Sequence, residues 1–271
     1  MAKQLPTDPQ LMERTVVDLA AAALKNARSH LTSAQAVLDA KQWPKAFSFA
    51  ALGLEEVGKA ALCMMMLAMP PAVREDFRSD FEKAFTSHQV KAEFAHLVLG
   101  MVADAVPASL QQMLADVVVS ARRTNAVKFS GLYVDYTDTG TLLLPDTVNE
   151  SDARLMVTTA TDALAASSFA ESAVADPDVF LDFLDQWQNA VDFDALGRYF
   201  EATPEDELLT QLRTAAREDM LVPSMFQGTA FADLVAAADT VVMTTAGRTP
   251  RTSTEHACAP PEGRPSDTVA P

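Results

Sequence analysis

Apolar residues recur every seven positions near the start of the chain, at Val17, Leu24, Leu31 and Leu38, with Ala20, Ala27 and Ala34 three positions after the first three. This spacing predicts one long helix whose packing face carries small residues that let a neighbour approach closely. Asp8 followed by Pro9 predicts its start, and the pattern runs to about Ala40. A second helix opens at Trp43-Pro44 and runs to Met69, where Pro70-Pro71 stops it. The very short connection makes these two helices antiparallel neighbours. A third helix is predicted from Arg74 or Asp80 to Ala105, and a fourth from Pro107 or Ala108 to about Leu132, separated by Pro107. Residues 133–150 contain Gly140, Pro145 and several Asp and Thr, and predict an ordered loop or short hairpin. Helices are expected over about 150–174, 178–200 and 204–219, with a weaker one at 228–244. From about Gly247 the chain is Pro-rich, polar and aperiodic, which predicts disorder.

These elements predict an all-α fold: an up-and-down helical bundle over residues 8–175, an acidic helical extension over 176–246 and a disordered tail over 247–271. Composition agrees, since 9 Gly, 7% aromatic residues and abundant Ala, Leu and Met favour helices packed on helices. With 271 residues and 49% hydrophobic content, the chain can fill a sizeable core.

A net charge of −16 argues against a polyanionic partner, but its distribution changes that picture. Residues 1–130 carry eight Lys and six Arg against thirteen acids, a net of +1, and every lysine lies at or before Lys128. Residues 131–271 carry seven Arg against 24 acids, a net of −17. The first half can therefore host RNA or another polyanion, whereas the second repels one; the asymmetry suggests that the acidic half masks the basic residues.

Cys63 falls in an apolar helix and Cys258 in the Pro-rich tail, so a disulfide framework is not expected and a reducing, cytoplasmic setting is. Met1 to Gln10 has no apolar core of a signal peptide. The longest apolar run, Ala46 to Leu67, approaches the length of a membrane span, but Glu55, Glu56 and Lys59 stand at its centre. Each is costly in lipid, which predicts a buried bundle helix and no membrane partner.

That same run is the most informative segment. Glu55 and Lys59 are four apart and share a face with Leu52, Leu62 and Met66, while Glu56 raises the same question on the adjacent face. In apolar surroundings these charges need partners on other helices or a wet cleft. Two readings are open: an ion-pair network fixing the register of the bundle, or a functional site. Gly58 costs the helix about 1 kcal/mol relative to Ala and predicts close approach of another backbone.

A second cluster, Ser87-His88-Gln89-Val90-Lys91, places His88 and Lys91 three apart on one face, a proton-transfer group beside a phosphate-binding one. His96 lies two turns further on that face. The third cluster runs from Arg122-Arg123 through Lys128 to Tyr133 and Asp135, where the fourth helix passes into the loop. Its cations also suit a helix C-terminus in structural terms alone. Paired Glu-x-x-His motifs, a His-Glu-x-x-His motif and a Cys cluster are absent, so neither a metal nor another cofactor is expected. Gly-x-Ser-x-Gly and P-loop patterns are absent as well.

Taken in order, Glu55-Glu56-Val57-Gly58-Lys59, Ser87-His88-Gln89-Val90-Lys91 and Lys128-Phe129-Ser130-Gly131-Leu132-Tyr133-Val134-Asp135 resemble the AbiV family of bacterial abortive-infection proteins over about residues 10–175. That family is similar to the HEPN superfamily of helical bundles. The resemblance implies an antiphage role through a toxic activity or a block on translation, a homodimer, and either RNA or a phage or host protein as partner. Many HEPN proteins are metal-independent RNases that use an Arg and a His four to six residues apart. Here Arg123 is followed at that distance by Lys128, which leaves His88 as the candidate acid or base. The site implied for RNA cleavage is His88, Lys91, Arg123 and Lys128, with Glu55, Glu56, Lys59, Tyr133 and Asp135 as a binding or structural polar cluster. The alternative is a non-catalytic helical interaction protein in which the charged cluster is structural.

Overall fold

A computed structural model describes residues 4–102, 109–133, 135–136, 139, 141–143, 148–190 and 192–217. Its described residues form an all-α bundle of ten helices with one two-residue antiparallel ladder. Helix α1 spans Pro9–Asp39 and α2 Trp43–Ala68. Asp8 caps α1 by accepting from the Leu11 amide at 2.8 Å. The two helices are joined by a tight turn in which Lys41 takes a positive φ of 58°. Helices α3 (Pro71–Thr86), α4 (His88–Val102) and α5 (Leu110–Leu132) follow. Strands β1 (Asp135–Tyr136) and β2 (Leu142–Leu143) pair Asp135 with Leu143 and Tyr136 with Leu142, so the predicted short hairpin is present. The chain continues as α6 (Glu150–Ala165), α7 (Ser168–Ala175), α8 (Pro177–Ala190), α9 (Phe193–Ala202) and α10 (Glu205–Arg217).

Three expected helices are divided. The third is cut at Ser87, whose backbone is extended and whose hydroxyl accepts from the Val90 amide at 3.3 Å. Serine here serves as an N-cap, so His88 becomes the first residue of α4. The fifth, expected over about 150–174, breaks at Ala166–Ser167. The next gives way to α9 at Asp192, which caps it by accepting from the Ala195 amide at 2.9 Å. The helix expected at 228–244 and the disordered tail lie outside the described residues.

Helix α2 is the central element, touching α1 and α3 through α7. Its buried residues surround it, because Ala and Gly on one side and Leu, Cys and Met on others leave little polar surface. One apolar cluster joins Val16, Val17 and Leu24 of α1 to Leu62, Cys63 and Met66 of α2, Phe81 of α3, and Phe180 and Leu184 of α8. A second joins Ala27, Ala34 and Leu38 of α1 to Phe47, Leu54 and Val57 of α2, Ala95 of α4, and Met156 and Ala160 of α6. Ion pairs from Arg28 to Glu171 and from Arg14 to Asp178 tie α7 and α8 to α1. Among the described residues, no helix is long and apolar enough to cross a membrane.

Candidate functional site

Helices α2, α4 and α5 converge on Glu55. Two glycines permit this. A Cβ on Gly58 would lie 1.7 Å from the Lys91 carbonyl oxygen, so α4 crosses α2 with backbone nearly against backbone. A Cβ on Gly131 would lie 2.6 Å from the Ser48 hydroxyl and 2.7 Å from the Pro44 carbonyl, so α5 also packs closely on α2. Ser48 adds a tie between helices, its hydroxyl lying 2.9 Å from the Lys128 carbonyl.

The Glu55 carboxylate is only 3% exposed and is shared by three bases. Its Oε1 accepts from the Lys128 ammonium, its Oε2 lies 2.7 Å from His88 Nδ1, and Lys91 Nζ lies 3.8 Å from Oε2. Lys128 is 1% exposed and Lys91 5%, whereas the His88 side chain is half exposed. Two ammonium groups and one carboxylate are thus sealed together, and the imidazole is their border with solvent. Burial pushes the Lys91 pKa below its ordinary 10.5, with Glu55 opposing that shift. Lys128 also lies 4.4 Å from the centre of the Phe129 ring, which meets His88 edge-on at 5.8 Å. Phe129 in turn stacks on Tyr133 at 6.4 Å, and both aromatics are exposed.

Other expected contacts do not form here. Lys59 pairs with Glu56 rather than with Glu55, because Glu55 turns inward to α5 while Glu56 and Lys59 face a separate groove. That groove, about 530 Å³, is also lined by Lys25, Asn26, Ser29 and Phe85. Arg123 is not brought to His88. It lines a pocket of about 230 Å³ between α4, α5 and α6 with His96, Thr124 and Asp152, on a different face of α5 from Lys128. Asp135 lies in β1, and its side chain is outside the described residues.

A family model described as AbiV, of the HEPN group, matches residues 15–165, more than half of the chain. The chain belongs to the AbiV family. No curated protein and no solved structure gives a match. The matched region of this AbiV protein runs from the first turns of α1 to the end of α6 and contains all nine residues singled out in the sequence. It also contains one contact of His96 that residue spacing did not reveal. His96 Nε2 lies 3.2 Å from the Thr124 hydroxyl, and burial holds its pKa below the ordinary 6.5. Glu93 and His96 form a lone Glu-x-x-His on α4, but among the described residues no group of three His, Cys, Asp or Glu side chains comes together to hold a metal.

Proposed function

We propose that this AbiV protein acts in antiphage defence as an abortive-infection protein that binds a phage or host protein, with Glu55, Lys91 and Lys128 serving as a structural polar core. The burial of Lys128 carries this reading. Lys128 occupies the spacing from Arg123 at which the resemblance implies a catalytic His, yet it is sealed in the bundle and paired with Glu55. A cation without solvent access cannot hold a scissile phosphate, and Lys91 is withdrawn in the same way. The chain would work in the cytoplasm as a homodimer, with residues 8–175 as the bundle, 176–246 as an acidic extension and 247–271 as a tail.

A second reading, a metal-independent endoribonuclease or translation-blocking toxin, draws on His88 alone. Its Nδ1 is held by a buried carboxylate and its ring is half exposed, an arrangement that leaves Nε2 to exchange a proton with an RNA 2′-hydroxyl. Growth and bulk RNA integrity separate the two readings in bacteria expressing wild type or the Lys59→Ala/His88→Ala double variant, with and without phage, at equal levels of folded protein. The binding reading expects phage protection with RNA intact in both strains. RNA fragmentation that only wild type produces would overturn it in favour of nuclease chemistry at His88.

A further inference from the structure

One face of α5 is apolar, regular and uncovered among the described residues. Ala115, Val119, Arg122, Ala126, Phe129 and Tyr133 follow one another at alternating steps of four and three, and every one is exposed. Val119 is 65% exposed, Phe129 41% and Tyr133 60%. The opposite face, with Met113, Val117, Ala121, Thr124 and Lys128, is buried against the bundle. Steps of four and three are those of a helix that receives another helix, and an aromatic pair with a valine on one stripe exceeds the scattered apolar exposure of an ordinary surface.

We propose that residues 229–243 of this same chain dock along that face as an amphipathic helix. Pattern is the first reason. Phe231, Leu234, Ala238 and Val241 repeat the alternating steps of three and four and would present a matching stripe, flanked by Asp239. Charge is the second. Residues 218–246 hold four carboxylates and no Lys or Arg, while the α5 stripe contains Arg122 with Arg123 beside it. Opposite charge at the edge of a helix pair fixes which partner is accepted. Reach is the third. Helix α10 packs on α4 and α5, and Arg213 donates to the Gly100 carbonyl, so the chain leaves Arg217 close to the start of α5. The eleven residues 218–228 span up to roughly 36 Å when extended, at about 3.3 Å each. Helix α5, 23 residues at about 1.5 Å each, is roughly 35 Å long, so its whole length is within reach.

The test uses the full-length chain with Cys258→Ser, an Ala126→Cys substitution at the middle of the stripe, and a second cysteine in the segment. Ala126 is exposed, so cysteine there leaves the packing of α5 as it is. On mild oxidation at low micromolar protein, Ala238→Cys should give a disulfide within one chain, seen as a fast-migrating monomer on a non-reducing gel. Asp233→Cys, on the other side of the segment, should give severalfold less. Adding Val119→Asp should remove the difference. Equal yields at both positions would overturn the proposal. A species of twice the mass would also overturn it, by showing that a second copy covers this face. Hydrogen exchange provides a readout without cysteines: slowed exchange over 229–243 in the wild type should be lost in Val119→Asp, and exchange that is fast in both, or slowed equally in both, refutes docking on α5.

Discussion

The Glu55 carboxylate accepts a hydrogen bond from the Lys128 ammonium across the buried contact of α2 and α5, although the two residues are 73 positions apart in the chain. Neither charge has appreciable access to water: the removal of Glu55 leaves Lys128 and Lys91 uncompensated, whereas the removal of Lys128 leaves Glu55 with His88 and Lys91. Glu55→Ala should destabilise the fold by about 3–5 kcal/mol and Lys128→Ala by less, as measured by denaturant unfolding. The double variant should lose less than the sum, because the second substitution removes a charge already stranded. Additive losses would mean that the pair is not coupled.

The glycines of α2 and α9 should respond in opposite directions to alanine. Helix propensity alone favours Ala over Gly by about 1 kcal/mol. At Gly58 the new methyl would enter the Lys91 backbone, which is rigid, so Gly58→Ala should lower the melting temperature and separate α4 from α2. At Gly197 nothing lies within 4 Å of the added carbon, so Gly197→Ala should raise stability by up to about 1 kcal/mol. A thermal melt of each variant checks both signs. Stabilisation by Gly58→Ala would contradict the close crossing.

Local signals were legible where one residue decides one structural event. Pro9, Pro44 and Pro71 stand at helix starts, and the seven-residue seam of α1 faces α2. Gly58 in an apolar helix pointed to a close backbone, and the Lys91 carbonyl is that backbone. Ser87 was hidden because apolar periodicity continues on both sides of it, and only its side-chain cap reveals the break. The partner of Glu55 was hidden for another reason. Spacing four residues along α2 favours Lys59, but burial against α5 offers Lys128 a carboxylate that it cannot do without, and that tertiary demand outweighs a local pair worth tenths of a kcal/mol. Likewise, sequence order placed Arg123 near Lys128, whereas the helical turn between them sends Arg123 to the His96 pocket.

His96 gives the protein a pH dependence with a definite sign. Burial disfavours its charged form, so its pKa in the folded state lies below the 6.5 of an exposed imidazole. The other ionisable groups lining its pocket are Arg123 and Asp152. Between the two pKa values the unfolded chain binds more protons than the folded one, so stability falls as pH drops through this window. It is constant, as far as His96 is concerned, above about 6.5 and again below the folded value. Unfolding free energies from pH 7.5 to 5 should show this decline, and His96→Gln, which keeps a polar partner for Thr124, should flatten it. An unchanged slope in His96→Gln would assign the decline to other groups.

Cys63 offers a way to watch the core open. It lies fully buried on α2, in the apolar cluster shared with α1, α3 and α8, and burial pushes its thiol well above the ordinary range, which disfavours the reactive thiolate in the folded state. In a Cys258→Ser background, a disulfide reagent that reacts with exposed thiols should label the native protein only through opening of the bundle. If the Glu55 cluster holds α2, α4 and α5 together, Glu55→Ala should raise that labelling rate in proportion to its loss of unfolding free energy, about tenfold for each 1.4 kcal/mol in the regime where opening is rapidly reversible. His88→Ala, at the half-exposed border of the cluster, should raise it far less. Equal acceleration by both variants would mean that the imidazole, and not only the two lysines, holds the carboxylate in place.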